Sequence, residues 1–172
     1  MVHIKKLKII MISIILAVIA LIPNNVLADG PSYDITNYDM DAYIQEDGTI
    51  HIDESITYYF SSSANGLTRD LRYFYKTNKD LMEPNSARYQ ATGIENITVA
   101  VTNPANITTN FTKASNAEKG DNGVYTVDAV NADRTDGYDI MVYSPISSNN
   151  FQTVHYSYDI TDAVVQYNDM SE

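Results

Sequence analysis

The segment from residue 49 to residue 60 alternates strictly between apolar and polar side chains, and this pattern restricts the folds open to the chain. A period of two is typical of a β-strand with one buried face. The residues that share this face are Ile50, Ile52, Ile56, Tyr58 and Phe60. The sequence Glu46-Asp47-Gly48 separates this strand from an earlier apolar segment and favours a tight turn. Residues 33–60 are therefore predicted to form a β-hairpin.

Glu54 lies at a position of this alternation where an apolar side chain is expected. A buried carboxylate is costly unless a partner compensates its charge. The nearest basic residues that follow are Arg69 and Arg72. We predict that Glu54 and Arg69 form a structural ion pair, which would tie residues 65–71 to the hairpin. The alternative is that Glu54 is a ligand-binding carboxylate.

The rest of the chain contains short alternating segments with turn sequences between them. In residues 94–101 the alternation places Ile97, Val99 and Val101 on the buried face. Further strands are predicted at residues 67–75, 107–113, 124–127, 138–143 and 151–160, and turns at residues 61–66 and 133–137. This pattern predicts an all-β fold, an antiparallel β-sandwich that is immunoglobulin-like in general architecture.

The N-terminus has the pattern of an export signal. Three lysines precede an uncharged apolar run at residues 9–22, and Val26-Leu27-Ala28 provides a cleavage sequence. We predict an N-terminal signal helix in a signal peptide at residues 1–28, and an exported β-sandwich domain at residues 29–172. The alternative is an uncleaved membrane anchor, although the apolar run is short for a span of about 20 residues.

Charge and cysteine content exclude several classes of function. The chain has 11 basic and 22 acidic residues. Residues 1–28 contain three of the basic and none of the acidic residues, so the remainder has a net charge of −14. This charge argues against nucleic-acid binding and against adhesion to anionic lipid. The absence of cysteine excludes disulfides and favours an exported bacterial protein, either secreted or at the extracellular face of the cytoplasmic membrane.

Several motifs of the chain resemble a known family. They are Tyr38-Asp39-Met40-Asp41, Glu46-Asp47-Gly48-Thr49, the strand that ends at Tyr58-Tyr59-Phe60, Asn65-Gly66-Leu67-Thr68-Arg69-Asp70-Leu71, and Tyr156-Ser157-Tyr158-Asp159-Ile160. They resemble the N-terminal extracytoplasmic region of the domain of unknown function 2207 family, which consists of predicted bacterial membrane proteins. A turn with Asp-Gly is common, but its combination with the loop that contains Gly66, Leu67, Arg69 and Asp70 is less common.

The resemblance implies a signal peptide, an exported β-domain and membrane helices that follow it, without an established activity. It also implies a C-terminally incomplete family domain, because family members continue beyond the position of Glu172. Membrane attachment would then depend on the signal or anchor helix, or on segments outside this chain.

The sequence gives only weak support for a catalytic or metal-binding site. Close carboxylate pairs are Asp39 with Asp41, Asp53 with Glu54, and Asp133 with Asp136 and Asp139. Glycoside hydrolysis requires two carboxylates across a cleft, but close pairs arise by chance in so acidic a chain. Residues 133–139 lack the spacing of a calcium loop. His51 and His155 fall on the polar faces of their strands, and neither is part of a zinc-binding spacing. We therefore predict no catalytic, cofactor-binding or metal-binding residues.

These observations favour a non-catalytic extracytoplasmic module with an interaction or structural role. Its partner would be another protein or a component of the cell envelope. Two alternatives stay open from the sequence: a glycan-active enzyme that uses paired carboxylates, and a calcium-dependent adhesion module.

Overall fold

A computed structural model describes residues 31–75, 91–132 and 135–164 of the chain. The predicted signal peptide lies outside these residues. Every regular secondary-structure element in the described part is a β-strand, so the predicted all-β class is confirmed. They are β1 (Tyr33–Ile44), β2 (Ile50–Phe60), β3 (Ala64–Tyr75), β4 (Gly93–Thr102), β5 (Thr108–Asn110), β6 (Thr112–Lys113), β7 (Val124–Ala132), β8 (Thr135–Ile146) and β9 (Asn150–Thr161).

The strands form two sheets. Sheet A has the order β1-β2-β9-β4-β5, and sheet B has the order β3-β8-β7-β6. Neighbouring strands are antiparallel except for β6 and β7, which run parallel. The prediction of a wholly antiparallel arrangement is therefore wrong at this edge, where the chain passes from β5 in sheet A to β6 in sheet B within a few residues.

One cluster of buried side chains takes residues from both sheets. Sheet A contributes the face that carries Ile56, Phe60 and Val154, and sheet B contributes Ile140 and Val142. Phe60, Ile140, Val142 and Val154 are fully buried. Burial of each such side chain contributes about 1.5–3 kcal/mol, so this cluster sets the register of the central strands.

The predicted hairpin is present as β1 and β2. Its loop closes through two backbone hydrogen bonds, in which Gly48 donates to Gln45 (3.1 Å) and Gln45 donates to Thr49 (2.8 Å). Gly48 has φ of 84°, a left-handed conformation that glycine adopts without a steric penalty. This is the three-residue hairpin loop with a bulged glycine, and it fixes the pairing of Ile44 with Ile50.

A β-bulge alters the alternation predicted for β4. The pairing of β4 with β9 shifts register between Glu95 and Thr98, where Asn96 has φ of 54°. Because a bulge adds one residue to a strand, Ile94 and Val99 are both buried although their sequence separation is odd. The predicted inward face is confirmed for Val99 and Val101, which are buried, and Ile97 is half-buried and packs against the same core.

Two predicted turns are also shorter than expected. β3 begins at Ala64, inside the turn predicted at residues 61–66. β8 begins at Thr135, inside the turn predicted at residues 133–137, of which residues 133 and 134 lie outside the described part. In both places polar and glycine-rich sequence continues a strand because a neighbouring strand supplies its backbone hydrogen bonds.

Candidate functional site

Glu54 and Arg69, which the sequence analysis paired, are in direct contact. Arg69 donates from Nε to Oε2 and from Nη2 to Oε1 of Glu54, each at 3.0 Å. Tyr158 adds a third hydrogen bond from its hydroxyl to Oε1, at 2.7 Å. Glu54 lies on β2 and Tyr158 on the adjacent β9, whereas Arg69 reaches across from β3 of the other sheet. The three side chains therefore join sheet B to sheet A.

The electrostatics of this cluster favour a permanent ion pair. Burial by itself raises the pKa of Glu54, but the hydrogen bonds from Arg69 and Tyr158 outweigh it and hold the pKa below its usual value. Burial lowers the pKa of Arg69, and Glu54 more than reverses this effect. The pKa of Tyr158 is raised, first by burial and then by its bond to Glu54. Glu54 is thus a carboxylate and Tyr158 a neutral donor at physiological pH.

The carboxylate of Glu54 has little capacity left for a ligand. Its side chain is only 2% exposed, and both oxygens already accept hydrogen bonds. Arg72, the other basic candidate, binds elsewhere, with Nη2 at 2.5 Å from Oδ1 of Asp139 and Nη1 donating to the carbonyl of Tyr138 at 2.8 Å. The geometry therefore favours the structural reading of Glu54 over the ligand-binding one.

The family-like loop is part of strand β3. Leu67 is buried in the core, whereas Asp70 is exposed. Gly66 packs directly against the backbone of β8, and a Cβ atom built on it would lie 1.9 Å from the carbonyl oxygen of Val142. The motif thus combines a close backbone approach, a core residue and the partner of Glu54 within four residues of strand.

A pocket of about 510 Å³ lies between the two sheets, lined by the core-facing Glu54, Val99 and Tyr156 of sheet A and by Tyr125 of sheet B.

The outer face of sheet A carries polar rows that follow its register. One row has Asp53, Ser157 and Thr98, and the next has Ser55, His155, Ala100 and Asn110. His155 accepts or donates on both sides of its ring, to Ser55 at 2.8 Å and to Thr102 at 2.8 Å. The row is thus linked by side-chain hydrogen bonds from β2 to β4.

A second histidine, His51, lies on the same outer face of sheet A. Nδ1 of His51 is 2.6 Å from Oδ1 of Asp159, and Nε2 is 3.4 Å from the hydroxyl of Ser157. The hydrogen bond to Asp159 is the main cause that raises the pKa of His51. The pKa of Asp159 is lowered, first by the hydrogen bond from Asn96 and then by that from His51. The order carboxylate, imidazole, hydroxyl is that of a nucleophilic triad.

The surroundings of Ser157 do not complete such a site. Acyl transfer requires hydrogen-bond donors aimed at the developing oxyanion, usually backbone amides. Ser157 lies in the middle of β9, opposite Asp53 on one side and Thr98 on the other, so the sheet ladder uses its backbone groups. The polar network on this face is better explained as cross-strand pairing that stabilises a solvated sheet.

The predicted carboxylate pairs do not converge. Asp39 and Asp41 are both exposed on the outer face of β1, and Asp53 faces outward while Glu54 faces the core. Asp139 is paired with Arg72, and Asp133 lies outside the described residues. Across residues 31–75, 91–132 and 135–164, no three His, Asp or Glu side chains are grouped as metal ligands.

The most unusual surface is the edge strand β1. Every residue of this strand is exposed, on both of its faces. Its register with β2 places Ile35, Tyr38, Met40 and Ile44 on the side that faces the core in the rest of sheet A. These side chains are nonetheless between 47% and 69% exposed. Within residues 31–75, 91–132 and 135–164, β1 therefore presents an apolar inner face and a backbone edge that no other strand pairs with.

Comparison with known proteins agrees with the resemblance in the motifs. Residues 34–172 match the model of the DUF2207 family, described as the N-terminal domain of a predicted membrane protein. The chain belongs to this family. No curated protein and no solved structure matches it. In the part of the chain that the structure describes, no helix has the length and apolar character to cross a membrane.

The sequence reasoning missed two features of these surfaces. The alternation within residues 151–160 places Tyr158 on the apolar face of the strand, but its role as a donor to Glu54 depends on the pairing of β2 with β9, which no local pattern reveals. The exposure of β1 was also missed, because its alternation is the same as that of a buried strand. A signal did exist: residues 33–48 contain five acidic residues and no lysine or arginine.

Proposed function

We propose that the chain is a non-catalytic extracytoplasmic module that binds another polypeptide by strand addition at β1. In this mode an extended segment of the partner hydrogen-bonds to the free edge of a sheet, and its alternate side chains contact the sheet faces. The module would be an immunoglobulin-like sandwich, exported by its signal sequence and associated with the membrane as the family description suggests.

The observation that carries this proposal is the exposed apolar face of β1. Six of the eight large hydrophobic side chains that are exposed in the described residues belong to this strand. Natural edge strands are usually protected by shortness, proline, lysine or inward-facing charge. β1 has 12 residues, contains no proline or lysine, and carries no charge on its inner face. Its one protective feature is a bulge between Ile35 and Asn37.

A binding role is also better supported than a catalytic one by the chemistry of the candidate clusters. The buried carboxylate of Glu54 is saturated by Arg69 and Tyr158, and the hydroxyl of Ser157 lacks backbone donors beside it. The glycan-active enzyme and the calcium-dependent module have no comparable supporting observation among the described residues.

Site-specific photocrosslinking in intact cells tests the proposal. A photoreactive side chain at Met40 on the inner face of β1 should give an adduct with another polypeptide. The matched control is Asp128, an exposed residue of β7 in sheet B. Adducts that form at Asp128 as efficiently as at Met40, or none at Met40, would refute strand addition at this edge.

A further inference from the structure

We infer that the partner segment is an extended polypeptide in which apolar and basic residues alternate. This inference rests on the proposed strand addition at β1 and specifies the partner's chemistry. It follows from the two faces of β1, which differ sharply in polarity, and from the backbone groups that the strand leaves free.

The backbone phase of β1 is set by the hairpin loop. Gln45 donates to Thr49, so this pair is hydrogen-bonded. Hydrogen-bonded and non-hydrogen-bonded pairs alternate along an antiparallel ladder. The N–H and C=O groups of Ile44, Ala42 and Met40 therefore point away from β2, towards the open edge. Beyond the bulge, residues 37–44 keep a regular register with β2, which provides eight consecutive residues for pairing.

The inner face of this edge selects apolar side chains. Met40 is 51% exposed and Ile44 is 69% exposed, although their neighbours across the ladder, Glu54 and Ile50, lie under sheet B or at its margin. An added strand would place every second side chain on this face, directly beside Tyr38, Met40, Ala42 and Ile44. Apolar side chains at these positions would continue the hydrophobic layer of the domain.

The outer face selects basic side chains. Asp34, Asp39 and Asp41 alternate along the outer face of β1, and Asp53 lies directly opposite Asp41 on β2. All four are exposed. Residues 33–48 contain no lysine or arginine that could neutralise the three aspartates of β1, whereas Asp53 has Nε2 of His51 at 3.5 Å. The intervening residues of an added strand would face this row. Opposite charges across a sheet stabilise pairing and like charges oppose it.

The same row of carboxylates disfavours a second copy of this chain as the occupant. Antiparallel pairing of two β1 strands would bring the outer faces of both strands together, with three aspartates on each. The overall net charge of −11 adds long-range repulsion between two copies. A basic partner meets the opposite condition, since its attraction to this edge would also accelerate association.

Three synthetic 12-residue peptides test the inference with the full chain. All three carry the same apolar residues at alternate positions, and lysine, serine or glutamate at the others. Binding is measured by fluorescence anisotropy at low and at physiological salt. We expect the lysine peptide to bind at least about tenfold more tightly than the serine peptide at low salt, with a preference that shrinks as salt screens the charges.

Two variants assign the preference to β1. Asp39→Asn combined with Asp41→Asn should remove most of the lysine preference, whereas Asp128→Asn on sheet B should leave it unchanged. Ala42→Pro removes a backbone donor at the open edge and should abolish binding of every peptide. A lysine peptide that is N-methylated on alternate amides provides the same test without a change in the protein.

The outcomes separate this inference from the proposal beneath it. Equal binding of the lysine and serine peptides, both sensitive to Ala42→Pro or to N-methylation, would overturn the basic partner and leave strand addition intact. Strand addition itself would be overturned if none of the three peptides bound. It would also be overturned if neither Ala42→Pro nor N-methylation of the peptide reduced binding. A dimer in sedimentation that Ala42→Pro dissociates would replace the basic partner with a second copy.

Discussion

Arg69 binds Glu54 through two parallel hydrogen bonds, one to each carboxylate oxygen and each 3.0 Å long. Glu54 is in the second strand of the chain and Arg69 in the third, so a separation of 15 residues brings together the two sheets. A bidentate pair fixes orientation as well as distance. This contact therefore sets how the edge of sheet B lies on sheet A.

Replacement of Glu54 by glutamine should destabilise the domain strongly. The variant keeps the size of the side chain but leaves the guanidinium of Arg69, which is 28% exposed, without its charge partner. Breaking a buried pair by removing one member costs about 3–5 kcal/mol. Urea denaturation of the variant and the wild type measures this difference.

Asp53→Asn is the matched control for this substitution. Asp53 is adjacent in sequence but faces outward, with a side chain that is 52% exposed. We expect a change in the free energy of unfolding below about 0.5 kcal/mol, as for most surface substitutions. Equal effects of Glu54→Gln and Asp53→Asn would contradict the structural role of the ion pair.

Removal of the Tyr158 hydroxyl should have a different effect from removal of the Tyr156 hydroxyl. Tyr158 donates to Glu54 at 2.7 Å, and a hydrogen bond to a charged group contributes about 1.5–3 kcal/mol. Tyr156 is 1% exposed, and its hydroxyl has no hydrogen-bond partner among the described residues. Tyr158→Phe should therefore lower the urea midpoint, and Tyr156→Phe should leave it unchanged or raise it.

The two tyrosines lie two residues apart on β9 and lose the same atom, so each controls for the other. A larger loss of stability in Tyr156→Phe than in Tyr158→Phe would contradict the hydrogen bonding of the Glu54 cluster.

The sequence was sufficient for the hairpin and for the contact of Glu54 with Arg69. Strict alternation specified the buried face of β2, and a single carboxylate on that face required a nearby cation. Both inferences depend on residues close together in the chain. Their success reflects the strong penalty for burying an unpaired charge.

Other features depended on partners that are distant in sequence. The bulge in β4 has no local signal beyond Asn96, and it turns Ile94 to the same buried face as Val99 and Val101. The exposure of β1 depends on the width of sheet B, because an apolar strand at the edge of a wider sheet remains uncovered. The parallel pairing of β6 with β7 likewise follows from where the chain changes sheets.

Gly66→Ala should destabilise the domain, whereas Gly93→Ala should have little effect. A Cβ atom at Gly66 would lie 1.9 Å from the carbonyl oxygen of Val142, in the backbone of the adjacent strand. The nearest atom to a Cβ at Gly93 is the side-chain hydroxyl of Thr161, at 3.3 Å. Overpacking of this kind costs about 1–3 kcal/mol. Thermal unfolding of both variants measures the difference, and equal midpoints would refute the close approach of β3 to β8.

The two histidines of the outer face should titrate on opposite sides of the ordinary histidine value. The hydrogen bond to Asp159 raises the pKa of His51, whereas burial lowers the pKa of His155. Protonated His51 therefore stabilises the folded state below its unfolded pKa, and this contribution disappears as pH rises through its raised pKa. His155 acts in the other direction, because the unfolded chain takes up its proton more readily as pH falls.

NMR titration of the imidazole protons measures both pKa values directly. His51→Asn and His155→Asn allow the two signals to be assigned. Thermal unfolding then checks the linkage: relative to the wild type, His51→Asn should lose more stability at pH 5.5 than at pH 8.5, and His155→Asn should lose less at pH 5.5. A single shared titration midpoint for both rings would contradict the separate networks of Asp159 with His51 and of Ser55 and Thr102 with His155.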